Sequence, residues 1–368
     1  MEYRAGNALQ GETSDCHRDE MAHDARYDEL DSALDTMAKE RALSGIVLLT
    51  RAGETLFEEC YGLADRAADL RITPHTRFAL ASVTKLFTTA AALDLVNAGR
   101  MSVDDPIVDL LPAERRPSTL RPDVTVHHLL THTSGIADYA EEDDESPAYV
   151  EDYGSLWVDR PVYGMLRPDD FLPMYADLEP YRPPGETWQY SNAGFILLGA
   201  VIEQVADRPY IDVVQERVFD RAGMTASGFF RLDEAVPDVA VNYLPRTSPD
   251  APSRTNIYQV PVIGGADGGA HSTARDLDRF LNELCEGDLL GPLRETALTP
   301  RLDVIEGYTQ GYGALIYPDG RISHGGGDPG VSCLIHRWRD EDTNMVVLCN
   351  VEDIASHVRD AVVDAWRN

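Results

Sequence analysis

Two lysines occur in this 368-residue chain, and one follows a serine at a spacing of three: Ser82-Val83-Thr84-Lys85. Every other basic residue apart from Lys39 is arginine, so arginine supplies nearly all the positive charge. A lysine here offers the one property arginine lacks. Its amine loses a proton near neutral pH when buried or crowded by other cations, whereas a guanidinium stays charged. A serine beside a neutral amine is a nucleophile with its base. The bland alternative is a leftover lysine beside an unrelated serine, and the pair alone does not separate the two readings.

Two further segments complete a pattern. Tyr190-Ser191-Asn192 follows the turn Pro183-Pro184-Gly185, and His324-Gly325-Gly326-Gly327 lies on a predicted strand. Three short motifs in this order are far more specific than one. They resemble the penicillin-recognising serine hydrolases: class C β-lactamases, D,D-peptidases, D-aminopeptidases and family VIII esterases. A Ser-x-x-Lys signature with a later Lys-Thr-Gly element marks the class A relatives, and the Tyr-x-Asn form points to the class C-like branch. The resemblance extends to Leu129-Leu130-Thr131-His132-Thr133-Ser134-Gly135, to the stretch from Pro184 to Leu198, and to Gly268-Gly269-Ala270-His271-Ser272-Thr273-Ala274-Arg275-Asp276-Leu277. It covers most of the chain, from Tyr27 to Trp366.

The resemblance implies roles. Ser82 attacks a carbonyl carbon and Lys85 accepts its proton. Tyr190 shares the base role and later activates water against the acyl-enzyme. Asn192 orients Lys85 and contacts the acyl side of the substrate. The backbone N–H groups of Ser82 and Gly327 form the oxyanion hole, and His324, Gly325 and Gly326 support the substrate. His324 near Tyr190 would produce an activity change at a pH of roughly 6–7, the ordinary range of a histidine. One departure stands out. Where the family element is often Lys-Thr-Gly or His-Thr-Gly, Gly325 replaces the hydroxyl residue that helps bind a substrate carboxylate. That weakens the case for β-lactams and D-Ala-D-Ala peptides and favours a carboxylesterase or amidase on small acyl substrates. D-aminopeptidase, D,D-peptidase or β-lactamase activity is the alternative, and a non-catalytic binding protein on the same fold is the rival of another class. Neither metal nor organic cofactor is implied.

Other features are read more plainly. His127, His128 and His132 are candidates for a metal cluster, but no carboxylate or cysteine partner is evident at zinc-site spacing. There is no G-x-S-x-G elbow, Walker A motif or H-E-x-x-H. The glycines at Gly264, Gly265, Gly268 and Gly269 are expected to allow close backbone approach near the site. Trp188 is the one tryptophan expected near the cleft.

The elements that must position these groups follow from periodicity. Tyr27–Leu43 has a helical repeat, and Gly45–Arg51 with Thr55–Gly62 reads as a hairpin. Phe78–Gly99 reads as a turn into a helix with Ser82 near its start. Residues 140–185 are irregular; the run Glu141–Glu145 reads as a solvated loop, and the later aromatics either line a substrate mouth or pack. Helices are predicted at Ala193–Ala206 and around Tyr210–Ala222. A meander then runs through Tyr312–Tyr317, Arg321–His324, Val331–Trp338 and Met345–Asn350, closed by a helix at Ile354–Trp366. The fold class is therefore α+β: an antiparallel sheet built from N- and C-terminal strands, flanked by helices, with an inserted mainly helical region. A flexible leader is expected over residues 1–25. One catalytic unit follows over 26–368, its sheet part about 26–75 and 260–368 and its helical part about 76–259.

Net charge is -31. Such acidity argues against nucleic acid and anionic membranes as partners, and with almost no lysine it fits a high-salt host. No apolar run approaches the roughly 18 residues of a membrane span. The N-terminal stretch lacks the basic and apolar regions of a secretory signal, and the five scattered cysteines suggest no disulfide framework. A cytoplasmic protein acting on a small-molecule acyl substrate is expected. Oligomeric state is not readable.

Overall fold

The computed structural model describes residues 25–40, 43–248, 250–304 and 307–367. The expected leader therefore lies outside the described residues, apart from Ala25. The architecture is the β-lactamase/transpeptidase-like α+β fold. Eight antiparallel strands form one sheet, in the spatial order Glu54–Tyr61, Gly45–Arg51, Thr343–Cys349, Val331–Trp338, Arg321–Asp328, Leu315–Ile316, Thr309–Gln310 and Leu302–Asp303. The N- and C-terminal strands pair one strand in from an edge of the sheet, where Val47 lies opposite Val347. The predicted strand Tyr312–Tyr317 contracts to Leu315–Ile316, and its neighbour extends beyond His324 to Asp328.

Both faces of the sheet are covered, which explains why its central strands are apolar throughout rather than alternating. On one face, helices Ala25–Glu40 and Ala355–Arg367 bury Leu30, Leu34, Val358 and Val362 against Val47, Leu49 and Val347. Trp338 and Trp366 meet edge to face there, with ring centroids 4.7 Å apart. On the other face, helix Ala274–Cys285 packs Leu277, Phe280 and Leu281 against Ile46, Leu48 and Val346, and this core continues into the helical region. Thr273 caps that helix by accepting from the Asp276 amide.

The helical region is centred on two buried helices, Thr84–Asn97 and Asn192–Ala206. Each is buried nearly all round, the pattern of a core helix rather than an amphipathic surface one. The helix expected around Tyr210–Ala222 divides into Tyr210–Val214 and a π-helical turn of larger radius, Gln215–Phe219. Among the described residues no helix is long and apolar enough to cross a membrane.

Candidate active site

Phe78–Ala79 pairs with His271–Ser272 and delivers the chain to a single 3-10 turn, Ala81–Val83, from which helix Thr84–Asn97 continues. Ser82 thus stands on the turn before the helix, not on its first α-helical residues. Ala81 has φ +43°, a left-handed conformation costly for a residue with a Cβ. Its neighbours hold it there. The Leu80 amide donates to the Ala270 carbonyl (2.8 Å), the Gly269 amide to the Ala81 carbonyl (3.3 Å), and the Ala270 amide to Thr84 Oγ1 (3.0 Å). A Cβ on Gly264 would lie 2.3 Å from the Gly269 carbonyl carbon, so these glycines do provide close backbone approach beside the nucleophile turn.

Lys85 is fully buried. Its Nζ lies 3.0 Å from Ser82 Oγ, 2.7 Å from Asn192 Oδ1 and 2.6 Å from the Asp267 carbonyl oxygen. The last two groups only accept hydrogen bonds. Nζ donates to all three oxygens; loss of one proton would leave two N–H groups for Asn192 and Asp267 and turn the lone pair toward the Ser82 hydroxyl. Burial pushes the Lys85 pKa down, against the opposing pull of Asp267, Glu142, Asp138 and Asp328. Desolvation favours the neutral amine that a base requires, and the geometry accommodates it.

The segment carrying Tyr190 and Asn192 is fixed by groups from the preceding loop. His132, at φ +55°, accepts the Ser191 amide on Nδ1 at 3.1 Å, and its carbonyl accepts the Gln189 amide at 2.8 Å. Its ring stacks on Tyr190, with centroids 4.6 Å apart. Asp138 accepts the backbone amides of Asn192 and Ala193 at the N-terminus of helix Asn192–Ala206, where Ser191 Oγ also caps Gly194 at 2.9 Å. Burial nevertheless holds the Asp138 carboxyl up at about 7, against these backbone hydrogen bonds. The Tyr190 ring lies 4.7 Å from Lys85 Nζ, and Tyr190 and Ser82 line the same cleft. Burial, reinforced by Glu142, pushes the phenol pKa well up. Tyr190 is therefore a protonated phenol at rest, so it can relay a proton but is not itself the resting base.

The third motif approaches from the sheet. A Cβ on Gly326 would lie 2.4 Å from the Leu80 carbonyl oxygen, 2.7 Å from Cys333 Sγ and 3.1 Å from the Ser82 amide nitrogen, so strand Arg321–Asp328 meets the nucleophile turn at a position only glycine fits. Gly327 faces open space. His324 lies in the same cleft as Tyr190, but its expected titration is corrected. Burial first, then Lys85 whenever it is protonated, hold it down to about 4, so it stays neutral through the pH range expected for it.

The structure brings together all the residues singled out at this site, and it adds several. The Glu141–Glu145 run is not simply solvated. Glu141 is buried and accepts from Gln189 Nε2 at 2.8 Å, while Glu142 accepts from Asn192 Nδ2 at 2.9 Å. Asp138, Asp267 and the orienting role of His132 were also not read. A buried acidic or imidazole group near a motif has no local period, so only its sequence neighbourhood could have drawn notice. Trp188 does line the cleft, its Nε1 donating to Gln310 Oε1 at 3.1 Å. Trp157 and Phe171 are instead core residues. The three histidines do not converge on one point: His127 and His128 meet edge to face with ring centroids 5.6 Å apart, His127 Nδ1 lying 3.0 Å from the Tyr312 hydroxyl and His128 in the cap formed with Thr125, whereas His132 packs on Tyr190.

Two cavities open on either side of Ser82, sharing it with Glu142 and Gly327. One, of about 750 Å³, is lined by Tyr190, Trp188 and His324; the other, of about 610 Å³, by Asn192, Asp267 and Asp328.

Residues 30–365 match the family model described as Beta-lactamase. The chain is 30% identical over 345 residues to Penicillin-binding protein 4* of Bacillus subtilis (strain 168), covering 88% of this chain and 72% of that one. It is 38% identical over 204 residues to Esterase EstB of Burkholderia gladioli, covering 54% and 50%. The solved penicillin binding protein from Bacillus halodurans superposes with a TM-score of 0.82 at 37% identity, covering 89% of this chain and 98% of that one. With the three motifs assembled around one serine, these matches place the chain in the β-lactamase family, a family of mostly serine-based hydrolases.

Proposed function

We propose that this protein is a serine hydrolase that cleaves small ester or amide substrates through an acyl-enzyme, in the manner of a carboxylesterase or amidase. The observation that carries the reading is Lys85: fully buried, 3.0 Å from Ser82 Oγ, with two obligate acceptors on its other valences. Ser82 Oγ attacks the carbonyl carbon as its proton passes to Lys85. The oxyanion is stabilised by the amides of Ser82 and Gly327, interactions worth about 10²–10³ in rate for each donor. The tetrahedral adduct collapses as Tyr190 passes a proton to the leaving group and is itself reprotonated from Lys85. Water then attacks the acyl-enzyme, losing its proton back through the same pair.

Two observations favour esters and amides without a carboxylate. Gly325 offers no hydroxyl, and the cleft lined by Tyr190 sets Glu141, Glu142, Asp143, Asp144 and Asp303 against Arg182. The resemblance to Esterase EstB supports the same reading. No metal or organic cofactor and no nucleic acid or membrane enters this chemistry, and a cytoplasmic location is part of the proposal. The test is intact mass after exposure to a fluorophosphonate probe. A single adduct on the wild type that is absent from Ser82→Ala is expected. No adduct on folded wild type, at low or at molar salt, would favour a binding protein instead.

A further inference from the structure

Among the described residues, Ser82, Glu142 and Gly327 line both cavities at the nucleophile. Ser82 and Gly327 have tasks in the proposed mechanism, as nucleophile and oxyanion donors. Glu142 has none. Of the residues flanking Ser82, Tyr190 lines only the larger cavity and Asn192 only the smaller. Tyr190 is the proton donor to the leaving group in that mechanism. The leaving group therefore takes the larger cavity, and the acyl group takes the smaller one beside the Asn192 amide.

Asn192 stands close to the reacting atoms. Its Oδ1 lies 2.7 Å from Lys85 Nζ, which lies 3.0 Å from Ser82 Oγ. An acceptor a few bonds beyond the reacting carbon of an acyl group therefore comes within reach of Asn192 Nδ2. That amide nitrogen carries two N–H donors, and both are taken. One goes to the Ala140 carbonyl oxygen at 3.3 Å and the other to Glu142 Oε1 at 2.9 Å. The first bond is to backbone and buried, whereas the second is to an exposed side chain. The neighbour of Glu142 fixes the loop that carries it. Glu141 is buried, accepts from Gln189 Nε2 at 2.8 Å, and takes the Val150 amide on its carbonyl at 3.0 Å. Glu142 thus lies across the nucleophile with its carboxylate on the one Asn192 donor that is not committed to backbone. A hydrogen bond to a carboxylate is roughly twice as strong as one between neutral groups. A neutral ketone or amide oxygen competes poorly for that donor, and an acyl group without such an oxygen loses nothing.

We propose that Glu142 is a specificity-determining residue. By occupying Asn192 Nδ2 it selects plain alkanoyl groups over acyl groups that carry a second carbonyl oxygen near the reacting carbon, acylamino groups included. The inference rests on the acyl-enzyme reading above and narrows its substrate class.

The test uses p-nitrophenyl pentanoate and p-nitrophenyl 4-oxopentanoate, which differ by one carbonyl oxygen. Values of kcat/KM are measured for both on wild type, Glu142→Ala, Glu142→Ser and Asp144→Ala, with folding checked by thermal melts. The reading is the oxo-to-plain ratio of a variant divided by that of the wild type. Intrinsic ester reactivity cancels in this quotient. So does the charge of Glu142 acting on Lys85 and Tyr190, which affects both esters alike. Alanine and serine are too short to reach Asn192, so each should raise the ratio about 3–10-fold, the worth of one hydrogen bond between neutral groups. Asp144 lies on the same loop and lines only the larger cavity, so its variant should keep the ratio within about twofold of wild type. An unmoved ratio in whichever Glu142 variant folds overturns the inference. An equal rise in Asp144→Ala also overturns it, because loop charge and not the Asn192 contact would then be the cause. If the pentanoate ester is still hydrolysed in a Ser82-dependent manner, the acyl-enzyme reading survives either result. If neither ester is hydrolysed and the fluorophosphonate leaves no adduct, the acyl-enzyme reading fails and this inference with it.

Discussion

Gly326→Ala, compared with Gly325→Ala, tests how the sheet builds the oxyanion hole. At Gly326 a methyl carbon would sit 2.4 Å from the Leu80 carbonyl oxygen, 2.7 Å from Cys333 Sγ and 3.1 Å from the Ser82 amide. Ordinary contact needs about 3.4 Å, so strand and turn must separate by about 1 Å. Neither partner moves freely. Leu80 is tied by its amide to the Ala270 carbonyl and by its own carbonyl to Cys333 Sγ, and the strand is paired on its other side along its full length. The displacement is passed to the next residues on each side, Gly327 and Ser82, whose amides are the proposed oxyanion donors. A misplacement of this size costs about 10² in rate, up to the 10³ of a lost donor. Overpacking costs about 1–3 kcal/mol of stability in addition. At Gly325 the nearest atoms are Leu334 Cδ1 at 3.5 Å and the Cys333 carbonyl oxygen at 3.8 Å, ordinary contacts, so alanine there should change kcat/KM by less than about threefold. The assay is kcat/KM on a short p-nitrophenyl ester together with the rate of fluorophosphonate labelling, on variants shown to be folded by thermal melts. Folded Gly326→Ala with kcat/KM within about threefold of wild type would refute the reasoning, as would equal damage from the two substitutions.

Further outcomes follow from the same geometry. Lys85→Arg should lower the labelling rate by about 10²–10⁴, because a guanidinium neither deprotonates nor fits between Asn192 and Asp267. The wild-type labelling rate should rise with pH through the Lys85 titration, and because that pKa is lowered the rise begins below the ordinary amine value of 10.5. His324, held at about 4, should add no limb near neutrality, and a pH profile that shifts in His324→Gln would contradict this. Asp138→Ala removes the acceptor for the Asn192 and Ala193 amides, so thermal unfolding should show a loss of about 1–3 kcal/mol and kcat should fall with it. Asp138 and Asp328 are both held up at about 7 from an ordinary 3.8, so the folded chain keeps protons that the unfolded chain releases. Their stabilising effect is present below that ordinary value and is lost as pH rises to about 7. The Tm of Asp328→Asn should accordingly fall less than that of wild type between mildly acidic and mildly alkaline buffer.

Some of this protein is legible without coordinates. Ser82, Lys85, Tyr190 and Asn192 sit in short motifs, and local chemistry is enough to name them. The strand Gly45–Arg51 and the helix Asn192–Ala206 are legible because their apolar runs are long and bounded by turn residues. What escaped reading depends on partners far away in the chain. Lys85 is a base because Asn192 and Asp267, over a hundred residues distant, occupy its N–H groups and because the fold buries it. His324 looks like a neutral-pH switch until burial beside Lys85 removes that property. Glu141 and Glu142 belong to a run whose composition says solvent, yet the loop that carries them folds back onto Gln189 and Asn192. The sequence by itself determined which groups can react and roughly which elements carry them. Protonation states and the glycine-only contact at Gly326 were decided by tertiary structure, because desolvation and close approach are set by whatever distant atoms the fold brings near.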